Sequence, residues 1–99
     1  DLVFTAGQVG IDDGALVEGG LEPELRRAFV NLRTVLGSAG AHLGDVVKTT
    51  VFLVDMADYA AMTEIYVEEF GEHRPARSAV AVASLRLGAL VEIEAVATV

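Results

Sequence analysis

Arg77 is the residue around which chemistry is most readily built. It sits in Arg74-Pro75-Ala76-Arg77-Ser78 and leads straight into Ala79-Val80-Ala81-Val82-Ala83, a run without a polar side chain. A guanidinium beside such a surface is costly unless an anion receives it. Further on, Leu90-Val91-Glu92-Ile93-Glu94-Ala95-Val96 forms a second apolar strand candidate, with a carboxylate at Glu92 where burial is expected. If the two strands are neighbours with matched ends, Arg77 and Glu92 make a small site, with a fork for a carboxylate and an acid or base next to it. Glu94 shares the strand face of Glu92 and reads as a structural partner for a lysine or arginine. No metal is assigned: His42 and His73 each lack a second histidine three to five positions away, and both lie beside turn residues. The absence of cysteine excludes disulfides, thiolate metal sites and a cysteine nucleophile.

These residues need elements to hold them. Leu2-Val3-Phe4-Thr5 reads as a short strand, Gly10 to Gly14 as a hairpin turn and Ala15-Leu16-Val17 as the returning partner. From Glu22 to about Ser38, apolar residues at Leu25, Ala28, Phe29, Leu32, Val35 and Leu36 follow the spacing of one helical face. Val46 to Val54 is dense in β-branched residues and predicts a central strand. A second helix is expected from a cap in Asp55–Asp58 to about Phe70, with Met62, Tyr66 and Phe70 as a core stripe and Glu64, Glu68, Glu69 and Glu72 on a solvated face. Strands over about 78–84 and 90–99 follow, joined by an open loop as antiparallel neighbours. The expected order is β-β-α-β-α-β-β, an α+β fold with one mixed sheet and two helices on one of its sides. Residues 78–84 are uncharged and apolar on both strand faces, which predicts that the second side of the sheet is buried in an oligomer.

Composition bounds the function. The 99 residues make one domain, residues 1–99, and a 53% hydrophobic content with mean hydropathy +0.48 is more apolar than one small monomer needs. No apolar run approaches the roughly 20 residues of a membrane helix, and nothing at Asp1 resembles a signal peptide, so a cytoplasmic protein is the default expectation. Seven basic against fifteen acidic residues leave a net charge of −8, which repels nucleic-acid phosphates.

The pieces Asp1-Leu2-Val3-Phe4-Thr5-Ala6-Gly7-Gln8-Val9, Asn31-Leu32, Leu43-Gly44-Asp45-Val46-Val47-Lys48-Thr49-Thr50-Val51-Phe52-Leu53, Met62-Thr63-Glu64-Ile65-Tyr66, Pro75-Ala76-Arg77-Ser78 and Val91-Glu92-Ile93-Glu94-Ala95 together resemble the Rid family, also called YjgF or reactive-intermediate deaminases. They span nearly the whole chain in the family's order. The resemblance implies a two-layer fold like that of the trimeric chorismate mutases, a homotrimer whose sheets line an inner barrel, and active sites in clefts between subunits. It implies hydrolysis of 2-imino and enamine acids to 2-keto acids and ammonia, without cofactor or metal. By position it makes Arg77 the grip on the substrate carboxylate and Glu92 the holder of the attacking water. The Ala79 N–H becomes a second carboxylate contact, Gly7 part of the cleft lining, and Thr63 the replacement for a frequent cleft asparagine. Ala6 stands where serine is usual, and the chain starts without the upstream segment in which many members carry a cleft tyrosine.

The chemistry suits those groups. A planar guanidinium binds a carboxylate through two parallel charge-assisted hydrogen bonds and so orients the adjoining C=N bond. One carboxyl group can then serve both proton steps of hydrolysis, a term worth about 10²–10⁴ in rate. The alternatives are a small-carboxylate-binding or regulatory trimer without turnover, an endoribonuclease, which the charge opposes, and a chorismate mutase, which would want more cations than Arg77.

Overall fold

In the computed structural model, which describes residues 1–99, alternation of buried and half-buried side chains along Val46–Leu53 identifies the central strand. Thr49, Val51 and Leu53 point to a buried side, and Thr50 and Phe52 to the other. Six strands and two long helices follow the chain: β1 (Leu2–Phe4), β2 (Ile11–Asp12), β3 (Ala15–Leu16), α1 (Leu21–Ser38), β4 (Val46–Leu53), α2 (Tyr59–Phe70), β5 (Ala76–Ala81) and β6 (Val91–Thr98). The main sheet has the order β1-β6-β4-β5, with β6 antiparallel to both of its neighbours and β5 parallel to β4. This is a mixed α+β architecture with both helices packed on one side of a mixed sheet, as expected.

The helices form for the reasons the spacing suggested. Leu25, Ala28, Phe29, Leu32 and Leu36 of α1 are fully buried, and α2 buries Met62, Ile65, Tyr66 and Phe70. Phe29, Tyr66 and Phe70 pack with ring centroids 4.8–5.9 Å apart, which ties the two helices together over Val51, Ile93 and Ala95 of the sheet. Gly71 ends α2 at φ 69, a conformation that disfavours any side chain.

Three strand expectations are corrected. Ala15–Leu16 pairs with Ile11–Asp12, not with Leu2–Phe4, because Asp13 and Gly14 both adopt positive φ (51 and 81) and form a tight two-residue hairpin between immediate neighbours. The order is therefore β-β-β-α-β-α-β-β, with β2-β3 a separate ribbon. β5 begins at Ala76 and stops at Ala81, earlier at both ends than its apolar run suggests. β5 and β6 are not neighbours: β4 lies between them, because α2 returns β5 parallel to β4 as a crossover while β6 takes β4's other edge.

Candidate active site

Arg77 projects from edge strand β5 on the helix side of the sheet, opposite Thr49 in register. Its guanidinium lies 5.2 Å from the ring centroid of Tyr59 and 4.9 Å from that of Tyr66, and Nη2 donates to the Tyr59 hydroxyl at 2.8 Å. Nη1 is directed at Met62 Sδ, 3.8 Å away. No carboxylate pairs with it, although the acids outnumber the bases and Arg26, Arg27 and Arg33 all have acidic partners. Aromatic faces hold a guanidinium in place without neutralising it, so its charge and most of its five donors stay available.

α2 builds this clamp by helical periodicity. Tyr59, Met62, Thr63 and Tyr66 share one face, and Tyr66 is fixed by a 2.7 Å hydrogen bond between its hydroxyl and Thr49 Oγ1. Burial pushes the Tyr66 phenol above its ordinary pKa, and the Thr49 hydrogen bond and the Arg77 charge only partly offset this. It therefore stays neutral beside Arg77. Thr63 Oγ1 is buried without a hydrogen-bond partner on this same face, an uncommon state for a hydroxyl. Along β5, the Val82 N–H donates to the Leu53 carbonyl at 2.8 Å. Because N–H directions alternate along a strand, the Ser78 and Val80 groups face β4 as well, and the Ala79 N–H points out of the sheet edge. Arg77 and the Ala79 N–H are thus brought to one open edge, with Thr63 on the face of α2 that holds Arg77.

Glu92 is elsewhere. It pairs with Phe52 on the open side of the sheet, whereas Arg77 pairs with Thr49 on the helix side. The two Cα positions are separated by two strand spacings and three residue rises, about 14 Å in all. The matched-ends arrangement is therefore corrected: within one chain these two residues do not meet. Glu92 instead meets Gly7, where a Cβ would stand 2.6 Å from the Glu92 Cδ. Gly7 is a glycine because the carboxyl group occupies the space of its side chain, not because of its φ. The Gln8–Ile93 bridge, with mutual hydrogen bonds of 2.7 and 3.0 Å, holds that segment against β6. The five residues singled out from sequence thus form two half-sites: Arg77, Thr63 and Ala79 on one, Glu92 and Gly7 on the other.

Other sequence readings resolve differently. Glu94 has no ion pair; Lys48, its nearest basic candidate on the open side, donates to Ser78 Oγ at 2.6 Å. The acidic face of α2 is only partly solvated, since Glu68 and Glu69 bind Arg26 at 2.8 and 2.9 Å and Glu69 also takes Arg33 at 2.8 Å. With Glu22 added, these carboxylates raise the Arg26 pKa and lace α1 to α2. His42 caps the short turn at Leu43–Asp45, and His73 Nε2–H donates to the Val46 carbonyl at 2.7 Å. Tyr59 and Tyr66 are the residues holding Arg77 that sequence reasoning missed. Their signal was the helical spacing from Tyr59 through Met62 and Thr63 to Tyr66.

Comparison with known proteins places the chain in a family. The family described as endoribonuclease L-PSP matches residues 1–99. The chain belongs to the Rid family. A RutC family protein of Pyrococcus abyssi is 46% identical over 98% of this chain and 78% of its own. The mouse Rid relative named 2-iminobutanoate/2-iminopropanoate deaminase is 46% identical over 96% of this chain and 72% of its own, and the human one is 43% identical over 96% and 71%. Among solved Rid structures, RidA from an Antarctic Psychrobacter superposes with TM-score 0.94 at 38% identity, covering 99% of this chain and 80% of that one. A Thermotoga maritima protein titled a putative endoribonuclease gives TM-score 0.94 at 44% identity, covering 99% and 79%. The Rid fold is thus shared along the whole chain. No helix is long and apolar enough to cross a membrane.

Proposed function

We propose that this protein hydrolyses 2-imino and enamine acids to 2-keto acids and ammonia, at clefts where the Arg77 half-site of one subunit faces the Glu92 half-site of the next. The observation that carries this reading is Arg77 itself, held by two tyrosines at an open sheet edge and left without an acidic partner in an acidic chain. A guanidinium so placed is a receptor for a small carboxylate. The names of the mouse and human relatives support the imino-acid class.

Arg77 and the Ala79 N–H bind the substrate carboxylate, and Thr63 Oγ1 supplies a further polar contact. The neighbouring subunit's Glu92 takes a proton from water as its oxygen adds to the C=N carbon. The nitrogen, protonated, departs as ammonia when the C–O bond becomes a carbonyl, and the acid returns to its starting form. A homotrimer with the open sheet faces turned inward provides the required juxtaposition. It also covers Leu2, Phe4 and Val80, which are 60%, 72% and 42% exposed in the single chain. The endoribonuclease description of the family is not adopted for this chain, because the −8 charge repels a polyanionic substrate.

The test generates imino acids with an amino-acid oxidase and traps the surviving imine with semicarbazide. Active protein lowers the trapped fraction and raises free keto acid. An unchanged trapped fraction across several side chains rejects the reading.

A further inference from the structure

Arg86 is one of three arginines, with Arg74 and Arg77, that have no acidic partner in the chain, and Arg74 is taken up by the Gly71 and His73 carbonyls. Arg86 makes neither an ion pair nor a side-chain hydrogen bond, and it is exposed in the loop between β5 and β6. That loop is held in a fixed shape. Leu87 adopts φ 59 and Gly88 φ 74, the Ala89 N–H returns to the Arg86 carbonyl at 3.1 Å, and the Leu90 N–H is anchored by the buried Glu24 carboxylate at 2.8 Å. A leucine in the left-handed region is strained, so the surrounding contacts over-determine this turn.

The turn sets Arg86 in the wall of a cleft shared with Gly7, Gln8 and Asn31. No acidic residue lines this cleft, and the Asn31 amide is committed to the Val9 and Ile11 carbonyls at 3.0 and 2.9 Å. Arg86 is therefore the one charge there, and it is uncompensated. Gly7 joins the cleft to the proposed chemistry: one side of its backbone lies against the Glu92 carboxyl group, and the same residue lines the cleft. A substrate at Glu92 with a side chain running along Gly7 would enter a cleft whose lining carries Arg86 as its only charge.

We infer that Arg86 is a specificity-determining residue that receives a second carboxylate at the far end of the substrate, so that the protein favours dicarboxylic 2-imino acids, such as those derived from aspartate or glutamate, over alkyl ones. This inference rests on the imine-hydrolase reading of the Glu92 half-site. A cation facing a carboxylate discriminates against an alkyl group because it forms charge-assisted hydrogen bonds with the first and none with the second.

The test has two readouts on the full chain and on Arg86→Gln and Arg86→Glu. One is the ratio of kcat/KM for the imine of glutamate to that for the imine of alanine. The other is the ratio of calorimetric affinities for the stable keto acids 2-oxoglutarate and 2-oxobutanoate. The expected result is that both ratios fall 10- to 100-fold in Arg86→Gln and further in Arg86→Glu. Ratios that do not move in either variant overturn the assignment, even with imine turnover intact. If no imine is turned over but the affinity ratio still falls in Arg86→Gln, the hydrolase reading fails and the Arg86 assignment stands.

Discussion

At the scale of single residues, function turns on what is left unpaired and what is left out. Arg77 is held by faces and a hydroxyl, so its fork remains free to form two parallel bonds to a carboxylate. Arg77→Lys keeps the charge and loses both the fork and the stacking, and is expected to lower kcat/KM for 2-imino acids about 10- to 100-fold, the loss of one or two charge-assisted hydrogen bonds. Retained activity in that variant would show that charge alone suffices. Gly7 acts by omission. In Gly7→Ala the new methyl meets the Glu92 carboxyl group, the flexible end of a side chain that can swing aside. The fold should be little affected, with a melting temperature within a few degrees of wild type, while kcat falls because the displaced carboxyl group no longer addresses the reacting carbon. A variant that melts early but turns over normally would make Gly7 a packing residue only.

At the scale of elements, the helices were legible in the sequence and the strand partnerships were not. Leu25 to Leu36 repeat with the period of one helical face, and that period survives any tertiary arrangement. Pairing has no comparable local signature. Nothing within Ala76–Ala81 states that its neighbour is β4 and not β6; α2 decides that by carrying the chain back across the sheet. The same ignorance hid the division of the site, since strand alternation places Arg77 and Glu92 on opposite sides only once both are registered against Thr49 and Phe52. The clamp was half legible: Tyr66 reads as core, as it is, and its second role as a platform for Arg77 needs the β5 register. That clamp carries a pH signature. The Tyr66 pKa is raised in the folded state, so the folded chain holds the phenol proton more tightly than the unfolded chain does. The stabilisation is fully present below the ordinary tyrosine value of about 10 and is lost as pH rises through the higher folded value. Melting temperature should thus drop steeply at alkaline pH, and Tyr66→Phe should flatten that drop while lowering stability at neutral pH through the orphaned Thr49 hydroxyl. Identical alkaline slopes for the two proteins would assign the loss to other groups.

At the scale of the molecule, the proposed pairing of Arg77 with Glu92 states a requirement that no single chain meets. The clamp at the β5 edge and the carboxyl group over Gly7 lie on opposite sides of one sheet, with the Arg77 and Glu92 Cα positions about 14 Å apart. Two copies in heterologous contact can satisfy it, and a closed ring of such contacts satisfies it at every interface. The open side offers a surface for that contact in Phe4, Val80 and the half-buried Phe52 and Val96, and Val80→Glu should dissociate the assembly in sedimentation and abolish turnover together. A sharper test separates sharing from mere association. Arg77→Ala and Glu92→Gln subunits are each expected to be inactive alone, the first for want of the carboxylate grip and the second for want of the proton carrier. When the two are denatured, mixed in equal amounts and refolded together, a shared site draws its arginine from one subunit and its glutamate from another. Each site then has one chance in two of an intact arginine and, independently, one in two of an intact glutamate, so about a quarter of wild-type activity should return. If both groups belonged to one chain, every site would carry one defect and no activity would return at any ratio of the two.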